Sequence, residues 1–357
     1  MNEQSTQPSN FLLTIGIPTY SRADLLDLCL ASVLPQVEES GALVECVVSD
    51  NASIDHTAQV LAKYKSRFPC LKVFRNETNI GIIGNITKTS SELASGDYIL
   101  LIGDDDVLTA GAITKILRQL QSEPKPDMIA LNVGYLPRAR RPRIQEALGG
   151  VADKFDKMLR SPTTRSLVSL NEAFEGPPAD LTASYSVVLK RAHWKHVFPV
   201  SCLEPPFSSL KTTYPSGYVI AETCRNCSVT ILGDPSVVIY EMPGSEFSWA
   251  RFRGVTSTRY ATELLCKFEQ NGVSSEKLVP YKRFQLEHRN EELGELLWDK
   301  TTAGGWRDAL KFAWMLKRFP VGLIKCFTLS LLHADAPQWL SWLPRMLLKA
   351  KRASRGQ

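Results

Sequence analysis

An α/β fold is what this sequence predicts: a mostly parallel sheet flanked by helices, with a helical C-terminal extension. Three observations carry the prediction. Short apolar runs alternate with helix-patterned segments over residues 11–135, and strands separated by helices at short intervals build a parallel sheet covered on both faces. Three apolar runs end in polar tips: Pro18-Thr19-Tyr20, Ser49-Asp50-Asn51 and Gly103-Asp104-Asp105-Asp106. Residues 261–357 are different in kind, holding five of the seven tryptophans among Leu, Phe, Lys and Arg.

Residues 1–10, MNEQSTQPSN, read as a polar tail. They lack the charged start and apolar centre of a secretory signal. FLLTIGI, 11–17, is a buried strand that Pro18 and Thr19 stop. Ser21 followed by Asp24 resembles a capping box. Leu25, Leu28, Cys29 and Ser32 then share a helical face that Leu26 and Val33 widen. LVECVV, 43–48, is the second strand and 57–68 a helix. LKVF, 71–74, is the third strand, followed by a Ser- and Thr-rich helix over 85–94. YILLI, 98–102, is the fourth strand, 112–120 a helix, and MIALNV, 128–133, the fifth strand.

Composition sets limits. With 44% hydrophobic and 22% charged residues, the 357-residue chain fits a globular protein of one large or two ordinary domains. No run of 18 apolar residues is present, so a spanning helix is not expected. Eight cysteines include one C-x-x-C, Cys224 and Cys227, with no second pair to complete a zinc site. They read as reduced core cysteines of a cytoplasmic protein. After Asp335 no acidic residue occurs, while Arg345, Lys349, Lys351, Arg352 and Arg355 follow. That asymmetry points to an anionic surface. A nucleic-acid partner is not expected, because no aromatic-basic platform accompanies the charge.

The aspartates carry the chemistry. Three adjacent carboxylates at the end of an apolar strand fall in the crevice where parallel sheets bind ligands. A solvated turn is the plain alternative, but unpaired charge in a partly buried cleft is costly. A divalent cation removes the repulsion, and Mg²⁺ or Mn²⁺ prefers hard oxygen ligands shared between carboxylates and substrate phosphates. Neither a G-x-x-x-x-G-K-[ST] loop nor a G-x-G-x-x-G after the first strand is present.

The blocks IPTYSR, VVSDNASIDHT, NETNIGIIGNI and GDYILLIGDDD occur in an order and spacing that resemble family 2 glycosyltransferases of the GT-A fold, in the branch that includes abequosyltransferases of bacterial surface polysaccharide synthesis. The resemblance covers about 11–135. It implies that residues 11–135 are the nucleotide-sugar half of the domain and 136–260 the acceptor half. It also implies roles: Pro18 and Thr19 against the base, Asp50 on the base edge, Asn79 and Gly81 lining the pocket, Asp104 near the ribose, and Asp105 and Asp106 on a Mg²⁺ or Mn²⁺ ion at the diphosphate. The reaction it implies is inverting transfer from a nucleoside-diphosphate sugar to an acceptor hydroxyl, on a glycan or lipid-linked acceptor. The family's catalytic base falls on Ser216 or Gly217, neither of which can take a proton. Glu222 is the candidate instead, with Glu204 and Asp180 as alternatives. The missing base keeps a second class open, a non-catalytic sugar-nucleotide-binding or scaffolding protein.

Three further features belong to the remaining chain. PRARRPR gathers Arg138, Arg140, Arg141 and Arg143, a solvated basic loop or one that pairs with phosphates. TASYSVVL, 182–189, reads as a strand, and His193, Trp194 and His196 after it as helix surface or core rather than metal ligands. The segments around Trp306, Trp314, Trp339 and Trp342 suit either helices lying in a membrane interface, on the inner face of the plasma membrane, or helices packed on the catalytic domain.

Overall fold

The computed structural model describes residues 11–143, 145–146, 155–159, 162–174, 184–241, 250–299, 303–333 and 336. Its first strand, β1 (Leu13–Thr19), runs through Pro18 and Thr19 rather than stopping before them. The reason lies in the pairing. β1 pairs with β4 (Tyr98–Leu101) only as far as Gly16 opposite Leu101, so beyond that point the missing N–H of Pro18 costs no ladder bond on that side. On the other side β1 stays in parallel register with β2 (Val44–Asp50), to Thr19 opposite Asp50. β3 (Leu71–Arg75) adds to β2, also parallel.

Beyond β4 the sheet becomes mixed. Its order is β3-β2-β1-β4-β9-β6-β10-β5, where β5 is Val107–Leu108, β6 Met128–Pro137, β9 Val187–Lys190 and β10 Val229–Glu241. β9 is antiparallel to both neighbours, β4 and β6, whereas β6 and β10 are parallel. Two short strands, β7 (Lys157–Met158) and β8 (Arg165–Leu167), pair with β6 and β10. The expected strand over 182–189 appears as β9; residues 181–183 lie outside the described residues.

Helix α1 (Ala23–Glu39) buries Leu26, Cys29, Leu30, Val33, Leu34 and Val37. Of the helical face read from the sequence, Cys29, Ser32, Leu26 and Val33 are buried, while Leu25 and Leu28 are only half-buried. Val37, four residues past Val33, continues the buried stripe. No capping box forms at its start; the Ala23 N–H donates to Asp55 instead, at 3.0 Å. α2 (Thr57–Arg67) and α4 (Ala112–Leu120) fall where the pattern puts them. α3 (Gly81–Lys88) begins four residues earlier than expected, then widens into a π turn over Thr89–Leu93. Asn79 starts it, accepting the Gly81 N–H at 2.8 Å, while Gly81 takes a φ of 78° that glycine alone adopts without strain. Between β9 and β10 lie α5 (Arg191–Val197) and α6 (Pro215–Thr223). Leu13, Ile15, Ile17, Leu100, Ile129 and Val188 are wholly buried between sheet and helices.

The chain divides into two compact units, 1–208 with 214–242, and 209–213 with 243–357. The second is helical: α7 (Ala261–Gln270), α8 (Ser275–His288), α9 (Asn290–Trp298), α10 (Trp306–Met315) and α11 (Pro320–Ser330). Leu264, Phe268, Leu278, Leu293, Phe312 and Cys326 form its interior. Trp306 and Trp314 are exposed, not core. Trp339, Trp342 and the basic tail lie outside the described residues, among which no helix is long and apolar enough to cross a membrane.

Candidate functional site

β1, β2 and β4 point the same way, so Thr19, Asp50 and the segment after Leu101 reach one edge of the sheet. There the chain turns. The Asp106 N–H donates to the Gly103 carbonyl at 3.2 Å, and the Gly103 N–H donates to the Asp106 carboxylate at 3.3 Å. This folds two carboxylates back over Gly103. A β-carbon on Gly103 would stand 2.7 Å from Asp105 Oδ1 and 2.8 Å from Asp106 Oδ2, so only glycine leaves room.

The triplet is partly shielded. Asp104 and Asp106 are each 5% exposed. Thr19 donates its hydroxyl to Asp104 Oδ2 at 2.7 Å, and Arg22 spans Asp104 and Asp105 at 3.1 Å each. Burial, with Asp105 alongside, pushes the Asp104 carboxyl up to about 6 against the pull of Arg22. Burial and Asp105 likewise hold Asp106 well above the ordinary carboxylate range. One guanidinium therefore does not neutralise the cluster. Converging oxygens with surplus negative charge fit a hard divalent cation.

Arg22 does not stand out in the sequence, although it closes the block IPTYSR. It sits at the N-cap of α1, the end of a helix that disfavours a cation. Its placement there makes sense through the aspartates it faces. Arg141, from the basic loop, also feels the fields of Asp105 and Asp106, and its guanidinium lies over the Tyr240 ring at 5.4 Å. The basic loop thus contributes to this edge, a choice that the sequence leaves open.

Asp50 is 1% exposed. Its Oδ1 accepts the Ser53 N–H at 2.9 Å and its Oδ2 pairs with Arg75. Beside it runs a chain of side-chain amides. Asn51 donates to Asn79 Oδ1 at 2.9 Å and accepts from the Ile80 N–H and from Asn76, each at 3.0 Å. Asn85 accepts from Ser49 and donates to the Ser49 carbonyl. The network holds the Asn79–Gly81 turn against the tips of β1 and β2. Asn51, Asn76 and Asn85 escape a sequence reading because single asparagines carry no spacing signal.

Glu222 takes another position. It is exposed on the last turn of α6, two residues before Cys224. Cys224 feels the charge of Asp127, which precedes β6 and bonds Ser228 just ahead of β10. That is where β6 and β10 begin, whereas the aspartates stand where β4 ends. The chain path therefore separates Glu222 from the triplet, and the expected base is not brought to this edge. Asp180 lies outside the described residues. Ser216, on the first turn of α6, is wholly buried, its hydroxyl unpartnered among the described residues.

Comparison with known proteins agrees with this architecture. The family model described as glycosyl transferase family 2 matches residues 14–166. The chain is 32% identical over 113 residues to abequosyltransferase RfbV of Salmonella typhimurium, a match covering 31% of this chain and 33% of that protein. It spans less than half the length of the first curated relatives it matches. Among solved structures, S. aureus TarS 1-349 in complex with UDP-GlcNAc is similar with a TM-score of 0.54 at 16% identity, over 88% of this chain and 82% of that one. Mannosyltransferase PcManGT from Pyrobaculum calidifontis, in complex with GDP-Man and Mn²⁺, is similar with a TM-score of 0.50 at 14% identity, over 90% and 86%. The fold is that of GT-A glycosyltransferases. The resemblance to family 2, read from four sequence blocks, is borne out by the family model over residues 14–166, and the likeness to an abequosyltransferase by a relative alike over 113 residues.

Proposed function

We propose that this chain transfers a sugar from a nucleoside-diphosphate sugar to an acceptor hydroxyl, in bacterial surface polysaccharide synthesis. The observation that carries the reading is the buried, convergent triplet Asp104–Asp106 at the edge where parallel strands end. Asp105 and Asp106 would hold Mg²⁺ or Mn²⁺, as their chemistry suits, and such a cation would supply charge to offset that on the leaving diphosphate. Thr19 fixes Asp104 for contact with the ribose. Pro18, Asp50, Asn79 and Gly81 border the place for the base. Arg22 and Arg141 supply further positive charge toward the phosphates. Support for a divalent ion also comes from the similar mannosyltransferase, whose structure is a complex with GDP-Man and Mn²⁺.

The acceptor in this reading is a lipid-linked glycan, with the protein peripheral on an anionic membrane. Its support lies on α10 and α11. Trp306, Trp314, Val321 and Ile324 are between 63% and 80% exposed, among exposed Arg307, Lys311, Lys317, Arg318 and Lys325. Lys317 stands 3.6 Å from the centre of the Trp314 ring. Exposed aromatics beside basic side chains suit a headgroup layer.

That the family's base falls on Ser216 or Gly217, neither of which can take a proton, favours a second reading, a protein that binds a sugar nucleotide without turning it over. Incubating the chain with a panel of sugar nucleotides, Mn²⁺ and a lipid-linked acceptor separates the two. Release of free nucleoside diphosphate supports transfer. Tight binding without release supports the second reading, and neither would sink both.

A further inference from the structure

Two features that look unconnected in the sequence meet in space. Cys224 directly follows α6, and Cys227 lies in the turn before β10. His193 sits on α5, more than thirty residues earlier. One donor atom from each of the three lies within 4.8 Å of the other two. Cys227 Sγ is 3.8 Å from His193 Nε2.

The surroundings fix this group. The Cys227 N–H donates to the Cys224 carbonyl at 3.1 Å, closing the C-x-x-C turn. Asp127 accepts from both the N–H and hydroxyl of Ser228 at 2.9 Å, clamping the residue after Cys227. Trp194, next to His193, is 2% exposed and stacks on Phe198, so α5 is anchored beside its histidine. Both cysteines are buried and free.

We propose that His193, Cys224 and Cys227 form a zinc site, with the fourth position filled by none of the described His, Cys, Asp or Glu residues. Zinc takes thiolate and imidazole ligands in a tetrahedron, with bonds of about 2.3 and 2.0–2.1 Å. The sulfur-to-nitrogen edge of that tetrahedron is roughly 3.6 Å, close to the distance between Cys227 and His193. Soft sulfur donors exclude Mg²⁺ and disfavour Mn²⁺, so the site is chemically distinct from the aspartates. No fourth His, Cys, Asp or Glu joins the group among the described residues. The ion would tie α5 to the end of α6 and the start of β10.

The test uses the full chain, purified with reductant and without chelator. Elemental analysis should find one zinc per chain. Cobalt substitution should give thiolate-to-metal charge transfer and tetrahedral visible bands. Cys227→Ser and His193→Gln should each weaken zinc binding by more than about a hundredfold, while Asp106→Asn should leave zinc bound. Because a variant could fail to fold, the cobalt spectrum of the unaltered chain stands as an independent readout. A reduced chain that takes up neither zinc nor cobalt overturns the site. So does zinc retained in the Cys227→Ser and His193→Gln proteins, or a Cys224–Cys227 disulfide that persists in reductant.

Discussion

Thr19 donates its hydroxyl to Asp104 at 2.7 Å, joining the end of the first strand to the turn after the fourth. The bond is buried, and it locks one carboxylate of the triplet into a fixed rotamer. Of the neighbouring pair, Asp105 meets Arg22 and Asp106 accepts the Gly103 N–H.

Asp105→Asn and Asp106→Asn should each lower the rate of nucleoside-diphosphate release by roughly 100- to 1000-fold, the scale of losing one charged group that acts on developing charge. Circular dichroism should show the fold intact. Full turnover of either variant in excess chelator would exclude a metal at these residues.

Stability should depend on pH with a definite sign. Burial raises Asp104 to about 6 and raises Asp106 as well. A carboxyl with a folded-state pKa above its unfolded value near 4 binds its proton more tightly when folded. That stabilisation is complete below the unfolded pKa and is lost as pH rises through about 6. In metal-free protein, Asp106→Asn should therefore raise stability at pH 8, and by much less at pH 4. Thermal melts at both pH values check it; an equal shift at both would mean that Asp106 is not strained by its charge.

Asp50→Ala should act twice. It removes a candidate bond to the base, worth a tenfold to hundredfold loss of nucleotide affinity, or about 1.5–3 kcal/mol. It also strips Arg75 and the Ser53 N–H of their acceptor, so the melting temperature should fall. Arg75→Met should lower the melting temperature without a comparable loss of affinity. Calorimetry with a nucleoside diphosphate distinguishes them, and unchanged affinity in Asp50→Ala would make Asp50 purely structural.

On the helical unit, Lys311→Glu with Lys317→Glu should reduce binding to anionic vesicles by more than about tenfold, since each basic group near such a surface contributes about 1 kcal/mol. Trp306→Ala with Trp314→Ala should weaken it too. Flotation at low and high salt is the measurement. Full-length protein that ignores the vesicles at both salts removes the membrane from the reading.

Glu222→Gln should leave donor turnover close to that of the unaltered chain, because α6 carries Glu222 to the end of the sheet away from Asp104. Loss of turnover with donor binding preserved would return Glu222 to the role of base.

The apolar runs gave away β1, β2, β4 and β6 because each is largely buried on both faces; β3, at the sheet edge and partly exposed, showed only as the short run LKVF. The aspartates were legible for the same reason: a strand end is easy to see, and three carboxylates are conspicuous. What escaped depended on long-range pairing. Arg22 becomes meaningful only once β4 lies beside β1, and His193 only once α5 meets α6. The antiparallel direction of β9 was not readable either, since a buried strand has the same pattern whichever way it runs. The start of α3 was hidden because Gly81 and Gly84 look like loop residues, while their helix is set by Asn79.

Arg22 makes the aspartate edge a place already held by a counter-ion. On the function proposed above, a divalent cation arriving alone would compete with a tethered guanidinium, and its residence on the bare protein would be short. A nucleoside diphosphate would change the contest, since its oxygens would complete the cation's coordination and give the displaced guanidinium an anion of its own. The edge would then fill as a pair, metal with nucleotide, and empty as a pair. The concentration of donor would govern how much metal such a chain carries.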